Sequence, residues 1–153
     1  MKVRDVMQVR VITISPDAPY EEAAKLLRVY NVSGIPVVDE NGDVIGVLSE
    51  KDLFYALFPN YIDFYKNPES YLDLESREKA IIHLKGKPVR DIMSTDVIVI
   101  APDDKVMKAG SIMLTKNIHR LPVVEEGKLI GIISRRDIFK NILSQHLGET
   151  VES

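Results

Sequence analysis

Two S-x-x-D motifs, Ser49 to Asp52 and Ser134 to Asp137, hold residues that could do chemistry. The spacing is that of a capping box, in which the serine and the acidic side chain satisfy free backbone groups at the start of a helix, and most such boxes do only this. A helix N-terminus also presents unpaired N–H groups and a partial positive charge, which suit a phosphate. A carboxylate one turn into that helix can accept both hydroxyls of a ribose, as acidic residues do in other nucleotide-binding folds.

A basic group surrounds the second motif and includes His119, Arg120 and Arg136. A His-Arg pair before a strand is usually solvated surface. It can also serve a phosphate, because arginine offers a bidentate fork and histidine a pH-sensitive donor. Residues 116–140 hold six Lys/Arg against three Asp/Glu, whereas residues 30–55 hold one Lys against five Asp/Glu. We therefore expect any phosphate to lie with the second motif.

The elements that must position these residues occur twice in the chain. Asn117 repeats Asn31 and Pro122 repeats Pro36 at an offset of 86, while Asp137 follows Asp52 by 85, so the first hairpin is one residue longer. The repeat extends upstream to Val-Arg-Asp-Val-Met at 3–7 and Val-Arg-Asp-Ile-Met at 89–93. An internal repeat of this kind means that the fold is built from two copies of one unit.

Each copy predicts the element order β-α-β-β-α. Alternating apolar residues at 9–14 and an apolar run at 97–101 indicate an opening strand. Asn31 and Asn117 suit the left-handed position that ends a helix. The hairpin strands are expected at 35–38 and 44–48 about Asn41-Gly42, and at 121–124 and 129–133 about Glu126-Gly127, since such dipeptides are strong hairpin signals. The final helices should open at Ser49 and Ser134.

The repeat resembles the CBS motif, named for cystathionine β-synthase, and the whole chain is similar to a stand-alone CBS pair, or Bateman module. The resemblance rests on V-R-D-V-M, T-I-S-P-D, the G-I-P-V-V-D and H-R-L-P-V-V strands, and G-V-L-S-E-K-D with G-I-I-S-R-R-D. It implies an α/β fold of two repeats packed about a pseudo-twofold axis, with two clefts between them. The expected organisation is a first motif at 1–57, an insert with a connecting helix at 58–86, a second motif at 87–147 and a tail at 148–153.

The resemblance also implies roles for individual residues. Asp52 and Asp137 match the aspartate that holds the ribose in CBS pairs, and His119-Arg120 matches a phosphate-facing pair. Its counterpart in the first repeat is Ser33-Gly34, a departure from that pattern. The main nucleotide site is expected to comprise Thr13, Ser33, Gly34, Ile35, Pro36, Arg120, Ser134, Arg136 and Asp137. A second, poorer site is expected to comprise Ser49, Lys51, Asp52, Val99, Ile118 and His119.

The insert is rich in aromatic residues: residues 54–71 hold seven of the ten in the chain. These are Phe54, Tyr55, Phe58, Tyr61, Phe64, Tyr65 and Tyr71. Such a cluster suits either a lid over the core or a dimer contact, because aromatic residues are enriched in both. Residues 74–84 are expected to form a short returning helix.

Composition excludes several classes of function. The longest apolar runs are far too short to span a membrane. The N-terminus shows no signal peptide, and the absence of cysteine suits a reducing compartment, so we expect a cytoplasmic protein. A net charge of −3 argues against nucleic-acid binding. His83 and His146 have no evident acid or metal-ligand partners, and no catalytic motif is present, so we expect neither enzyme activity nor a catalytic cofactor or metal.

These observations predict a regulatory module that binds AMP, ADP or ATP and signals by conformation. We expect a homodimer, and action on a protein partner in trans or through the module's own assembly. One alternative is a sensor of S-adenosylmethionine or another adenosyl ligand. Binding of S-adenosylmethionine requires no phosphate-binding site. Another is a ligand-free dimerisation scaffold.

Overall fold

The computed structural model describes residues 1–58, 78 and 81–148. The described part of the chain contains two antiparallel hairpins, each flanked by helices. The elements are α1 (Tyr20–Val29), β1 (Gly34–Val38), β2 (Val44–Ser49), α2 (Glu50–Ala56), α3 (Val106–Thr115), β3 (Arg120–Glu125), β4 (Lys128–Ser134) and α4 (Arg135–His146). Short 3₁₀ helices cover Val3–Asp5 and Val89–Asp91. The mixed α/β class predicted from the repeat is confirmed.

The chain divides into two compact units that do not follow the sequence repeat. The β1–β2 unit comprises Thr13–Asn41 and Ile45–Val97, and the β3–β4 unit comprises Met1–Ile12, Gly42–Val44 and Ile98–Ser153. Each opening V-R-D segment therefore packs within the unit of the other copy's hairpin. The motif bounds 1–57 and 87–147 describe the repeat of the sequence, and the compact units group the residues differently.

Backbone hydrogen bonds hold these opening segments in place. In the β3–β4 unit the Val3 N–H donates to the carbonyl of Asp104 at 2.9 Å. In the β1–β2 unit the Val89 N–H donates to the carbonyl of Ala18 at 2.8 Å. Val3 and Val89 are both fully buried, so each 3₁₀ helix contributes an apolar side chain to the core of its unit.

The β3–β4 unit has a core built from the inner faces of its hairpin and helices. Leu121, Val123 and Ile133 of the strands have no exposed surface. Helix α3 adds side chains at 106, 109 and 113, which share one face at helical spacing. The core consists of Val3, Val6, Ile100, Val106, Ala109, Met113, Leu121, Val123, Ile133 and Ile138.

The β1–β2 unit is built in the same way. Its hairpin buries Ile35, Val37 and Leu48, and helix α1 buries Ala23 and Leu27. Helix α2 adds Leu53. In both units the second strand of the hairpin alternates between buried and partly exposed positions, as expected for a strand that covers a core with one face. The first strand buries three consecutive residues, 35–37 in β1 and 121–123 in β3.

The turns agree with the sequence signals, with one difference. Asn31 and Asn117 end α1 and α3 in the left-handed region, at φ 50° and 52°. Glu126 and Gly127 are both left-handed, at φ 51° and 81°, as a two-residue type I′ hairpin turn requires. At Asn41-Gly42 only the glycine has positive φ, because the longer first hairpin closes through residues 39–43 instead of a two-residue turn.

The strands predicted at 9–14 and 97–101 are wrong. Each segment forms one parallel bridge to its hairpin, Ile14 with Val37 and Ile100 with Val123. In a parallel ladder about Ile14, the next two bonds would need N–H groups from Pro16 and Pro36. Proline has none, so the ladder cannot extend in either direction. Pro102 and Pro122 impose the same limit about Ile100.

Most of the aromatic insert lies outside the described residues, including Tyr61, Phe64, Tyr65 and Tyr71. Six of the eleven residues of the helix expected at 74–84 also lie outside them, and among the other five, residues 78, 81 and 82 are helical. Phe54 and Tyr55 on α2 are more than half exposed, and the Phe54 and Phe58 rings lie 5.1 Å apart. The choice between lid and dimer contact stays a prediction. Among the described residues, none of the helices has the length and apolar character needed to cross a membrane.

Candidate functional site

Both S-x-x-D motifs form the predicted capping boxes. Ser49 donates to Asp52 Oδ2 from its backbone N–H and from its hydroxyl, each at 2.9 Å. Ser134 does the same to Asp137 Oδ2, at 2.8 and 2.6 Å. In return the N–H of each aspartate donates to the serine Oγ, at 3.2 and 3.1 Å. The two carboxylates are therefore fixed in equivalent orientations at the starts of α2 and α4.

The remaining oxygen of each carboxylate differs between the two copies. The side-chain amide of Gln8 donates to Asp137 Oδ1 at 2.8 Å. Ser94 occupies the equivalent position in the β1–β2 unit, since its backbone pairs with Val47 as that of Gln8 pairs with Ile132. Within the described part of the chain, Asp52 Oδ1 accepts no hydrogen bond. Sequence reasoning missed Gln8, although aligning the repeats sets a long amide side chain against a short hydroxyl at this position.

Basic side chains gather at the end of the β3–β4 hairpin beside Asp137. Arg120 begins β3 and is the register partner of Ser134 at the end of β4. The carbonyl of His119 accepts a hydrogen bond from the Arg135 N–H at 3.0 Å. The structure thus brings His119, Arg120, Ser134, Arg136 and Asp137 together within one unit, at the point where β4 leads into α4.

The three arginines of this cluster differ in availability. Arg135 has a structural role, because its guanidinium donates hydrogen bonds to the carbonyls of Ile118 and Met113, both at 3.0 Å. Arg120 and Arg136 are exposed. Neither of their guanidinium groups makes a hydrogen bond or ion pair to any residue that the structure describes. Two arginines at the end of the β3–β4 hairpin are therefore available to a ligand, and the third is structural.

The β1–β2 unit holds the residues predicted to contact the base. Thr13 and Ser33 are exposed, whereas Ile35 and Pro36 are buried. Within this stretch, the side chains of Thr13 and Ser33 are therefore accessible to a ligand, and those of Ile35 and Pro36 are not. At Gly34 an added Cβ would lie 3.3 Å from the carbonyl oxygen of Leu48, so the strands β1 and β2 are closely packed there.

The predicted sites each take residues from both units. The β1–β2 unit contains the predicted site residues Thr13, Ser33, Gly34, Ile35, Pro36, Ser49, Lys51 and Asp52. The β3–β4 unit contains Val99, Ile118, His119, Arg120, Ser134, Arg136 and Asp137. The Lys51 ammonium lies 5.6 Å from the centre of the Tyr55 ring. Val99 is 42% exposed, as is expected for a position matched to exposed Thr13. Membership of the two sites stays a prediction.

The described residues contain no group of three or more His, Cys, Asp or Glu side chains that could hold a metal ion. The hairpin end that joins β3 and β4 to α4 offers a fixed carboxylate that accepts hydrogen bonds and two exposed arginines whose guanidinium groups are unpaired among the described residues. That combination suits a ligand carrying both hydroxyls and negative charge.

Comparison with known proteins gives a consistent result. A family model described as CBS domain matches residues 3–59 and 89–144. An uncharacterised protein of Methanocaldococcus jannaschii, MJ1426, is 30% identical over 94% of this chain and 92% of its own length. Several other relatives are longer, and this chain spans 23% to 41% of them.

Solved structures agree with the sequence matches. The structure of CBSX2 from Arabidopsis thaliana in complex with AMP is 30% identical, with a TM-score of 0.71 over 94% of this chain and 96% of that one. The CBS domain pair of protein MJ0100, in complex with 5′-methylthioadenosine and S-adenosyl-L-methionine, is 25% identical, with a TM-score of 0.70 over 95% and 98%. All three named ligands carry an adenosyl group.

Proposed function

Because this chain belongs to the CBS domain family, we propose that it is a regulatory module that binds an adenine nucleotide and signals its occupancy through conformation. CBS domain proteins are regulatory modules, and the comparisons indicate no catalytic family for this chain. CBS pairs among the structural neighbours bind adenosyl ligands. AMP, ADP and ATP are the ligands that we propose for this chain, and we propose no turnover of them.

One observation carries the choice of a nucleotide: Arg120 and Arg136 are exposed at the hairpin end that leads into Asp137, and their guanidinium groups are unpaired among the described residues. In this proposal Asp137 accepts the ribose hydroxyls, while Arg120 and Arg136 bind the phosphates. Charge-assisted bonds from arginine to phosphate are among the stronger hydrogen bonds in proteins. His119 and Ser134, at the end of β4, lie next to the start of α4 and add further polar groups there.

The same residues favour one of the two adenosyl alternatives. S-adenosylmethionine carries a sulfonium and an amino acid group in place of phosphates. Residues 116–140 hold six Lys/Arg against three Asp/Glu, an excess of positive charge that favours the anionic ligand. A dimerisation scaffold without a ligand would not require the local excess of positive charge, so that excess favours a ligand-binding module over a scaffold alone.

Titration calorimetry with AMP, adenosine and S-adenosylmethionine tests the proposal. Arg120→Ala should weaken AMP binding about 10-fold or more, because it removes a charge-assisted contact, and should leave adenosine nearly unchanged. Arg28→Ala removes an equally exposed arginine from α1 and is the matched control. If neither AMP nor adenosine binds, the nucleotide proposal is wrong. If Arg120→Ala weakens both equally, the phosphate role of Arg120 is wrong.

We also propose that the module forms a homodimer. It acts either through this assembly or on a protein partner. Several large apolar side chains on helix surfaces are exposed, among them Met107 (67%), Leu114 (75%) and Phe139 (62%). Exposed apolar surface of this kind marks interaction sites when it is contiguous. Light scattering should give twice the monomer mass at tens of micromolar protein, and a monomer at that concentration would contradict this.

A further inference from the structure

We propose that Gln8 sets how strongly the β3–β4 unit holds a ribose, by competing with the ribose hydroxyls for the carboxylate of Asp137. The inference deepens the proposed function and rests on it. Gln8 lies in the segment after the first V-R-D-V-M, where the other copy of the repeat has Ser94.

The backbone fixes Gln8 beside the start of α4. Its N–H donates to the Ile132 carbonyl at 2.8 Å, and its carbonyl accepts from the Ile132 N–H at 2.9 Å. This close approach depends on Gly131, where an added Cβ would lie 2.9 Å from the Gln8 carbonyl oxygen. From this position the Gln8 amide reaches Asp137 Oδ1 at 2.8 Å. The contact joins residues 129 positions apart and lies within a single compact unit.

The number of acceptor positions on the carboxylate makes this contact matter. An ionised carboxylate offers about four lone-pair positions, two on each oxygen. On Asp137 the backbone N–H and hydroxyl of Ser134 occupy both positions of Oδ2, and Gln8 occupies one of Oδ1. One position remains. A ribose donates two hydroxyls, so it cannot bind fully at Asp137 unless the Gln8 amide gives way.

The other copy provides the comparison. On Asp52 the two donors of Ser49 occupy Oδ2, as at Asp137. Ser94 is bridged to Val47 by backbone bonds of 3.0 and 2.9 Å, so its backbone is placed as that of Gln8 is. Its side chain makes no hydrogen bond within the described residues. The restriction on the carboxylate therefore comes from the glutamine side chain and not from the capping box.

This competition discriminates between sugars. A 2′-deoxyribose has only the 3′-hydroxyl to offer, which the remaining position can accept without displacing Gln8. A ribose must displace the amide to use its second hydroxyl. Gln8 thus lowers the affinity for a ribonucleoside and leaves that for a deoxyribonucleoside unaffected. Its role is that of a specificity-determining residue which acts through Asp137.

Titration of adenosine and 2′-deoxyadenosine tests this role, in the full chain carrying Asp52→Ala so that Asp137 is the carboxylate measured. Gln8→Ala should tighten adenosine about 5- to 10-fold, the equivalent of one ordinary net hydrogen bond, and should leave 2′-deoxyadenosine unchanged. Gln8→Ser, which supplies the residue of the other copy, should behave in the same way. Ser94→Ala in the same background is the matched control and should change neither nucleoside.

The outcomes separate the inference from the proposed function. If both nucleosides bind and Gln8→Ala leaves their affinity ratio unaltered, the role of Gln8 is overturned while the proposed function stands. Weaker adenosine binding by Gln8→Ala would also overturn it, because Gln8 would then assist the ribose. If neither nucleoside binds to any of the proteins, the proposed function and the inference fall together. Thermal unfolding of Gln8→Ala and Gln8→Ser alongside the parent protein checks that each variant is folded.

Discussion

Replacing Gly131 with alanine should destabilise the protein through a clash that the geometry defines. The added Cβ would lie 2.7 Å from the Met7 sulfur and 2.9 Å from the Gln8 carbonyl oxygen. The sulfur is at the flexible end of a side chain and can move. The carbonyl is backbone, and it accepts from the Ile132 N–H at 2.9 Å. Relieving the clash requires a separation of about half an ångström, which stretches that bond and its partner toward the limit for hydrogen bonding.

The size of the effect follows from those two bonds. Each contributes about 0.5–1.5 kcal/mol, and overpacking of a tight site typically costs about 1–3 kcal/mol in total. Because the two estimates describe the same displacement, they are not summed, and we expect a loss of about 2 kcal/mol in the free energy of unfolding. For a chain of this length that lowers Tm by about 4–8 °C. Gly46 in the other copy meets Met93 and Ser94 in the same way and should respond alike.

Scanning calorimetry provides the measurement, and Gly110→Ala provides the control. Gly110 lies inside α3, and an added Cβ there would meet only Ile138 Cδ1, at an ordinary contact distance of 3.8 Å. That variant should stabilise the protein by about 0.5–1 kcal/mol, since glycine is a poor helix former. The same substitution should thus act in opposite directions at the two glycines. A Gly131→Ala protein that unfolds at or above the parent temperature would refute the reasoning.

Three further predictions concern the residues around the site and the acidic groups of the fold. Ser134→Ala should lower the free energy of unfolding by about 1 kcal/mol through loss of the capping box, measured by denaturant titration; an effect no larger than that of Ser111→Ala, which changes an exposed α3 hydroxyl, would contradict this. Arg135→Ala should destabilise by about 1–3 kcal/mol through loss of two hydrogen bonds to carbonyls, yet keep the ratio of AMP to adenosine affinity, and an altered ratio would mean that Arg135 binds phosphate. The side-chain hydrogen bond from Lys108 and the N–H of Ala101 lower the pKa of Asp104 below its ordinary 3.8, so its stabilisation is complete at pH 6 and is lost as pH falls through the folded pKa. Asp104→Asn should therefore lower Tm more at pH 6 than at pH 2.5; an equal loss at both values would count against this assignment.

Features encoded by neighbouring residues were predictable from the sequence. The left-handed helix ends at Asn31 and Asn117 and the type I′ turn at Glu126-Gly127 each depend on one or two residue types. The capping boxes depend on four consecutive residues. The hairpins follow from apolar runs on either side of a turn signal. Such features are local in the chain, so their residue types determine them with little influence from the rest of the fold.

The strands expected at 9–14 and 97–101 mark the limit of that reasoning. The apolar pattern of each segment predicted a strand, and one residue of each, Ile14 and Ile100, is buried against its hairpin. The apolar pattern of a segment could not indicate that the hairpin residue facing it is a proline. A ladder needs N–H groups from both partners, and the identity of the partner strand is a tertiary fact. Only the structure showed that Pro36 and Pro122 face these segments and stop each ladder on one side, while Pro16 and Pro102 stop it on the other.

Tertiary structure alone decided which copy of the repeat each opening segment joins and which side chains reach the two aspartates. Val-Arg-Asp-Val-Met and Val-Arg-Asp-Ile-Met are so alike that local pattern suits either hairpin equally. Packing places 3–7 with β3 and β4 and 89–93 with β1 and β2. That exchange brings Gln8 to Asp137 and Ser94 to the unit of Asp52, and it makes two equal capping boxes unequal. The same contacts separate Arg135, bound to the carbonyls of Met113 and Ile118, from the adjacent Arg136, because neighbours in a helix point in different directions.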